Sequence, residues 1–566
     1  MERRLELLVS RTENAQPMPG CLIFEDEHLL VVNKPPGLNT HSPSPYAGEG
    51  IYEWLRHREP RWKDLAIIHR LDKETSGVLV FSKTTLANRS LTEQFTSRKV
   101  RKQYLLLTDR SALKSKLRIR TALQRVGSKY LSRPVHAGGD VAETLFEPAA
   151  VTEPAAHPRD FERGQCHAIM ATPLTGRTHQ IRVHASDQGF PILGDSMYGG
   201  TAASRLFLHA LSISLKHPVS GAEISFTTPA RFEAPPRSQL RSAMIEQEFT
   251  DAFRVVHGAS DGWPGWYVDQ LNGFYLSQSS VGLDANQRHE LQRLLAENPG
   301  HGVYHKRLTR QVRGAAFEQV SATLELGKAA DKSFLVRENG LKFNLTFEEG
   351  YSTGLFLDQR DNRRRLLTGH VAADFDLWPA KAKDGERSPA PRPTILNVFA
   401  YTCGFSVAAA KGGAHSTSLD LSRKYLDWGR QNFELNGLSP TEHDFIYGDA
   451  FEWLRRLARK QRSFDVIILD PPTFSQSKAS GVFRAEKDYG KLVTASLPLL
   501  KPQGVLLASS NAAGFPPEEF IAQIRQSAQA FRRSIMQEHY FPQPIDFPVS
   551  PREPAYLKTI WLRFAG

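Results

Sequence analysis

From Thr394 onward the chain alternates short apolar runs with amphipathic ones, and few folds accommodate that pattern. The runs predict a strand from Ile395 to Tyr401 and a helix from Ser406 to Lys411, then a strand from Ser416 to Leu421 and a helix from Tyr425 to Leu435 closed by Gly437. A strand from Phe445 to Gly448, a helix from Phe451 to Leu457, a strand from Val466 to Leu469, a helix from Tyr489 to Leu500 and a strand from Val505 to Ala508 follow. Strands separated by helices pair in parallel, because each helix carries the chain back to the end of the sheet where the next strand starts. Helices then cover both faces of the sheet, and its ligands bind at the carboxyl ends of the strands.

Three acidic residues fall at such ends. Asp420 closes the second strand, where a carboxylate can accept both hydroxyls of a ribose. Asp449 closes the third strand, and Asp470, in Asp470-Pro471-Pro472-Thr473-Phe474, closes the fourth. Singly, each reads as a common strand-end cap. Together they resemble the class I S-adenosylmethionine-dependent methyltransferases. That resemblance implies S-adenosylmethionine as cofactor, in contact with Asp420, Asp449 and Asp470 and with Tyr401, Thr402 and Gly404 of the turn after the first strand. Gly404 lets the backbone approach the methionine part of the cofactor, and Cys403 stands where a glycine is common.

A closer resemblance is to the RlmI/RlmK-type ribosomal RNA methyltransferases. It rests on Thr353-Gly354-Leu355-Phe356-Leu357-Asp358-Gln359-Arg360-Asp361 and on Asp470 to Phe474 extended through Ser475-Gln476-Ser477-Lys478. Phe253-Arg254-Val255-Val256-His257-Gly258 and Asp261-Gly262-Trp263-Pro264-Gly265 look like the central domain of that family. The match runs over about residues 245 to 566. It implies a loop over the cofactor pocket, with Gln359, Arg360 and Asp361 touching cofactor or substrate; read without the resemblance, these three are a polar loop or helix cap.

In the first half, His69-Arg70-Leu71-Asp72-Lys73-Glu74-Thr75-Ser76-Gly77 lies between the apolar runs Leu65 to Ile68 and Val78 to Phe81, which places one carboxylate at a turn between strands. By propensity Asp72 is a turn residue or helix cap. The stretch, however, resembles the HRLDxxTSG signature of RluA-type pseudouridine synthases, and two others agree in order: Val32-Asn33-Lys34-Pro35-Pro36-Gly37-Leu38 with His41 beyond, and Leu174-Thr175-Gly176-Arg177-Thr178-His179-Gln180-Ile181-Arg182-Val183-His184. The resemblance covers roughly the first 230 residues. It implies uridine isomerisation without a cofactor, with Asp72 as a buried nucleophile. Arg182 is its expected bidentate partner, since a guanidinium is planar and always charged. Arg70 resembles the arginine that fills the space left by an extruded base, and Tyr104, in Lys102-Gln103-Tyr104-Leu105, the tyrosine that packs on that base. Out of that context Arg182 is a surface cation and Tyr104 a strand aromatic. Gly194 to Gly199 and Arg205 to Ala210 match further family stretches and are read as structural.

The formal net charge of +12 over 566 residues favours a polyanionic partner without choosing RNA over DNA. Arg98-Lys99-Val100-Arg101-Lys102, with Lys114, Lys116, Arg118 and Arg120, gathers cations near Tyr104, either for passing phosphates or as a solvated face. Three widely spaced cysteines, Cys21, Cys166 and Cys403, argue against a disulfide framework or a zinc site, so no metal is expected. There is no apolar run long enough to span a bilayer, and Met1 to Gly20 is charged and polar rather than leader-like, so a cytoplasmic protein is expected. About 20 residues precede the first strand, too few for a separate RNA-binding domain, which raises the expectation that each half serves the other as RNA platform.

The fold expected is therefore multidomain, α+β and α/β: a pseudouridine synthase mixed-sheet domain over 1–230, a linker over 231–244 around Pro235 and Pro236, a small α+β central domain over 245–345, and a Rossmann-like methyltransferase domain over 346–566 with an irregular insertion at about 378–393. The function expected is a bifunctional RNA-modifying enzyme with ribosomal RNA as the favoured substrate and transfer RNA as the other candidate. Two alternatives are a synthase with a non-catalytic RNA- or cofactor-binding module, and a ribosome-assembly factor that acts mainly by binding RNA. Methylating a cytosine ring carbon needs a cysteine thiolate to add first. RlmI-type enzymes carry that cysteine after the fifth strand, where this chain has Ala508-Ser509-Ser510-Asn511. The stretch is more similar to the RlmK type, which implies methylation of guanine at ring position 7, with Asp470, Pro471, Pro472, Phe474 and Asn511 around the base; Asn511 alone is equally a strand-end cap.

Overall fold

The computed structural model describes residues 19–44, 48–110, 113–149, 166–308, 321–349, 352–378, 392–477 and 481–566. Most of the insertion expected at 378–393, Lys478 and the first 18 residues lie outside them.

The first half is built on an 11-stranded sheet whose central strands are Leu29–Lys34, Ser76–Ser82, Leu208–Lys216, Arg101–Thr108 and His167–Pro173, in that order. All its pairings are antiparallel except that of Ser76–Ser82 with Leu208–Lys216, which makes the sheet mixed as expected. Ser76–Ser82 is buried along its whole length, consistent with a run that is apolar on both faces. The run Leu65 to Ile68 contributes only the short strand Ala66–Ile67, and the chain then loops through Asp72 before re-entering the sheet.

A five-stranded sheet, Ala252–His257, Trp266–Leu271, Phe274–Ser279, Gly302–Arg307 and Thr323–Gly327, follows, with the helix Ala285–Glu297 started by an Asp284/Gln287 capping box. The hairpin Phe334–Glu338 and Leu341–Leu345 then leads to the seven-stranded methyltransferase-type sheet. Its order is Asp444–Tyr447, His415–Asp420, Thr394–Val398, Phe464–Leu469, Leu500–Ser510, Lys558–Phe564, Ile535–Phe541. The first five are parallel. Lys558–Phe564 runs antiparallel to both of its neighbours, a pair the alternating pattern did not reveal. Alternate residues feed two separate cores: Ile395, Val466, Ile468, Val505 and Leu507 pack on one face, and Leu396, Val398, Ile467, Leu469 and Leu506 on the other. The helix expected to run to Leu500 ends at Ser496, where Leu497-Pro498-Leu499 makes a single tight turn into the fifth strand.

The stretch expected as a linker is ordered secondary structure. Pro236–Met244 is a helix with proline at its start; Met244 is buried against the first-half core, and Cys21 N donates to Ala243 O at 2.9 Å. Its basic character serves pairing: Arg241 donates to Asp261 at 2.7 Å and to Asp546 O at 3.0 Å. The two halves also meet through buried ion pairs, Arg58 with Glu246 and Glu59 with Arg364, and His370 Nε2 lies 3.1 Å from Arg56 O.

Two candidate active sites

The loop carrying Asp72 opens into a cavity of about 560 Å³ lined also by Arg70, Lys102, Tyr104, His179 and Arg182. Thr40 clamps the loop from below: its hydroxyl donates to Leu71 O at 2.9 Å and accepts from Leu71 N at 3.1 Å. Lys34, fully buried, donates to Lys73 O, Leu38 O and Pro35 O within 3.1 Å, so three carbonyls around the turn are tied to one ammonium. Asp72 itself is not the buried carboxylate that was expected. Its side chain is 31% exposed, towards the cavity.

Arg182 is not its bidentate partner either. Both fork nitrogens of Arg182, Nε and Nη2, go to Asp195, at 2.7 and 2.8 Å, and only Nη1 faces Asp72 Oδ2, at 3.6 Å. Asp195 belongs to Gly194 to Gly199, a stretch read as structural; its 0% exposed side chain fixes the arginine at the wall while Asp72 stays open to the cavity. Tyr198 of the same stretch stacks on Arg182 at 5.0 Å and its hydroxyl meets His179 Nδ1 at 2.8 Å, which holds His179 Nε2 3.8 Å from Asp72. Asp195, Tyr198 and His179 are the residues sequence reasoning missed; their place in matched stretches was the available signal, and their role follows only from the pairings. Arg70 lies at the rim, exposed, with Nη2 3.3 Å from Thr178 Oγ1. Tyr104 lines the wall from the strand Arg101–Thr108, its phenol pushed above its ordinary range by burial and by the Asp72 charge. Lys102 lies beside it, with burial lowering its pKa.

The second cavity, about 390 Å³, opens at the carboxyl ends of Thr394–Val398 and its neighbours, the switch point of the sheet. Tyr401, Thr402, Gly404, Asp420, Asp449, Gln359, Asp470, Pro471, Pro472 and Asn511 all line it. The turn from Phe399 to Cys403 folds tightly, with Phe399, Tyr401 and Cys403 at φ of 62°, 48° and 63°. Cys403 thus occupies a left-handed position where glycine is unstrained, which accounts for the glycine expected there. Asp420 secures the turn by accepting from Tyr401 N and Ser422 N, both at 2.8 Å, and burial raises its pKa despite those bonds. Thr402 Oγ1 donates to Gly354 O at 2.6 Å, drawing the Thr353 to Asp361 stretch over the cavity. Asp449 caps the helix Ala450–Arg459 through Glu452 N at 3.0 Å. Asn511 Oδ1 accepts from Thr473 Oγ1 at 2.9 Å.

Arg360, Asp361 and Phe474 do not line this cavity. Gln359 and Arg363, four residues apart, share the helix face towards it, and Arg360 is turned away into a buried bidentate pair with Asp546 at 2.7 and 2.9 Å. Phe474 is 45% exposed on a two-stranded hairpin where the next residue, Ser475, points inward, as strand alternation requires.

The cavity suits S-adenosylmethionine in size, in the carboxylate at the second strand end and in the closeness of the turn; a Cβ on Gly404 would lie 3.3 Å from both Arg363 Cδ and Leu355 Cδ1.

Residues 28–187 match the RNA pseudouridylate synthase family model, and residues 254–551 match that of the S-adenosylmethionine-dependent methyltransferases. A ribosomal RNA large subunit methyltransferase of Deinococcus radiodurans is 33% identical over 324 residues, 56% of this chain and 72% of that protein. The ribosomal RNA large subunit methyltransferase K of Neisseria meningitidis serogroup B is 37% identical over 219 residues, 38% of this chain and 55% of that protein. Among solved structures, human RNA pseudouridylate synthase domain containing 1 is 24% identical, covering 38% of this chain and 86% of that one with a TM-score of 0.30. The chain belongs to the S-adenosylmethionine-dependent methyltransferase family and carries an RNA pseudouridylate synthase domain ahead of it, joining two RNA-modifying enzymes in one polypeptide.

Proposed function

We propose that the synthase half, residues 1–230, isomerises uridine in ribosomal RNA with Asp72 as nucleophile, and that the methyltransferase half, residues 346–566 with its central domain at 245–345, methylates guanine at ring nitrogen 7. In the first cavity Arg182 Nη1 and His179 steady the Asp72 carboxylate, Tyr104 supports the flipped base, and Arg70 at the rim fills the gap left in the RNA stack. In the second, the cofactor supplies an electrophilic methyl group. Asp420 accepts the ribose hydroxyls, the Tyr401 to Gly404 turn receives the methionine end, and Asp470, Pro471, Pro472 and Asn511 position the base.

The observation that carries the nitrogen assignment is that no cysteine is among the described residues lining the cavity. Ser509, Ser510 and Asn511 stand where carbon methylation would need a thiol, and Cys403, at the end of the turn, is fully buried with its thiol pushed up to about 12 by burial. A ring nitrogen has its own lone pair and needs only positioning. Incubation with labelled S-adenosylmethionine and unmodified ribosomal RNA, followed by digestion to nucleosides, should place the label in 7-methylguanosine. Label in 5-methylcytidine would overturn the assignment.

A further inference from the structure

The strand Asp444–Tyr447 is one edge of the methyltransferase sheet and pairs with His415–Asp420 on its inner side. Phe445 packs against one core and Ile446 against the other, so Tyr447 falls on the side of Phe445, where it ends the strand 55% exposed. The helices Arg423–Leu435 and Ala450–Arg459 cover the two faces here, through Leu426 and Phe433 in one core and Leu454 and Leu457 in the other. Each helix lays arginine on an aromatic ring. The guanidinium carbon of Arg423 is 5.6 Å from the centre of Tyr447, that of Arg430 is 4.5 Å from Phe445, and that of Arg456 is 4.5 Å from Trp453. Trp453 Nε1 donates to Tyr447 O at 3.2 Å, which ties the second helix to the strand end. Arg423, Arg430, Phe445 and Tyr447 line a hollow of about 420 Å³. Arg430 is paired with Asp427 at 2.5 Å, whereas Arg423 and Arg456, both exposed, form no ion pair among the described residues.

Charge alone is enough to stop a sheet edge from pairing with another strand, and lysine would serve for that. A ring under a guanidinium does something more: it orders the planar fork without neutralising it, which a carboxylate cannot do. Ordered forks that keep their charge fit phosphate oxygens, and an exposed ring beside them fits an unpaired base. We propose that this edge binds a single-stranded segment of the RNA substrate, with phosphates on Arg423 and Arg456 either side of the strand end and a base stacked on Tyr447 in the hollow. Leu421, Ser422, Gly448 and Asp449 join the edge directly to the mouth of the cofactor cavity, which they line. Phe464–Leu469, whose end carries Asp470, lies three strands in from the edge, roughly 14 Å away, so the bound segment is only a few nucleotides from the base pocket.

The inference rests on RNA as the substrate of this half and is independent of which atom is methylated. The test is a salt titration of the binding of labelled, unmodified ribosomal RNA to the full chain, read by filter retention. Arg423→Glu combined with Arg456→Glu should flatten the slope of log affinity against log salt by about 1.4, two single-strand phosphates at ~0.7 each. Changing the same two residues to Lys keeps the charges and should keep the slope. Tyr447→Ala should weaken binding about tenfold, the worth of one stacked base, with the slope unchanged. None of the three residues lines the cofactor cavity, so S-adenosylhomocysteine affinity should be the same in every variant, which also reports that each is folded. Irradiation of the parent with ribosomal RNA containing 4-thiouridine should attach RNA to the peptide that carries Tyr447. A slope unchanged by the two Glu substitutions would leave the edge to a protein partner, and attachment confined to the synthase half would take the RNA elsewhere; either result overturns the proposal. The guanine assignment fails separately, in a parent that binds RNA through this edge but places no label in 7-methylguanosine.

Discussion

Replacing Asp195 by Asn should damage the synthase although Asp195 makes no contact with Asp72. The carboxylate has no exposed surface and takes two charged hydrogen bonds, 2.7 and 2.8 Å, from an arginine that is itself 10% exposed. Asparagine keeps one acceptor and turns an amide NH2 towards a guanidinium that can only donate. Removing one partner of a buried pair costs ~3–5 kcal/mol, and Asp72 at 3.6 Å offsets part of that, so a loss of ~3 kcal/mol in urea unfolding is expected. Arg182, no longer held at the wall, then closes on Asp72 and ties up the proposed nucleophile. A displacement of about 1 Å at a reacting group can cost ~100-fold, so pseudouridine formation should fall by about that factor. Adding Arg182→Met should restore most of the stability, since no buried charge then remains unpaired, but none of the activity. A single variant as stable and as active as the parent, or a double variant no more stable than the single one, would refute the reasoning.

Asp72→Asn keeps the shape of the loop but removes the proposed nucleophile; pseudouridine formation should vanish while methyl transfer persists, as nucleoside analysis of treated RNA will show. Asp420→Ala removes the proposed ribose acceptor and two hydrogen bonds that hold the Tyr401 turn, so cofactor affinity measured by calorimetry should fall at least about tenfold. His209 and His184 are buried as neutral rings, pushed down from 6.5 to about 3 and about 4 by burial. The unfolded chain takes up these protons first, so the stability they protect is complete above pH 6.5 and is lost as pH falls towards 4. His69 is lowered to about 3 by burial in the same way, so the synthase half should be less stable at pH 5.5 than at pH 7 by on the order of 3 kcal/mol in urea titrations, and His209→Asn should remove about a third of that difference.

Repeating patterns made the methyltransferase sheet legible. The central parallel strands are buried on both faces and Arg423–Leu435 and Ala450–Arg459 are amphipathic, so the expected and observed elements agree to within a few residues from Thr394 to Leu469. The antiparallel pair Ile535–Phe541 and Lys558–Phe564 has no intervening helix to reveal it. Motifs located both cavities, because the acidic strand ends and the Asp72 turn are local in sequence. They could not say which way a side chain points. Arg360 and Gln359 are neighbours in a motif but lie about 100° apart around the helix axis, and only Gln359 meets the cavity. Phe474 and Ser475 differ in the same way through strand alternation. Asp195 became visible only as the partner of Arg182.

The joint between the halves depends on the same kind of long-range pairing. In Arg360–Thr368, four buried arginines face four directions: Arg360 to Asp546, Arg363 to Glu338 beside the cofactor cavity, Arg364 to Glu59 of the synthase half, and Arg365 over the Phe541 ring at 3.6 Å. A buried ion pair adds little net stability over an apolar contact, but any docking that separates its members leaves charges stranded at a cost of ~3–5 kcal/mol. The geometry of the joint is therefore specified more strongly than it is stabilised. From Glu59 the contacts continue through the helix Ile51–Arg58, whose Ile51 N and Tyr52 N donate to Asn39 O and Thr40 O, and Thr40 grips Leu71 next to Asp72. Packed residues thus run from the wall of one active site to the loop of the other, and an RNA that visits both meets them at a fixed spacing.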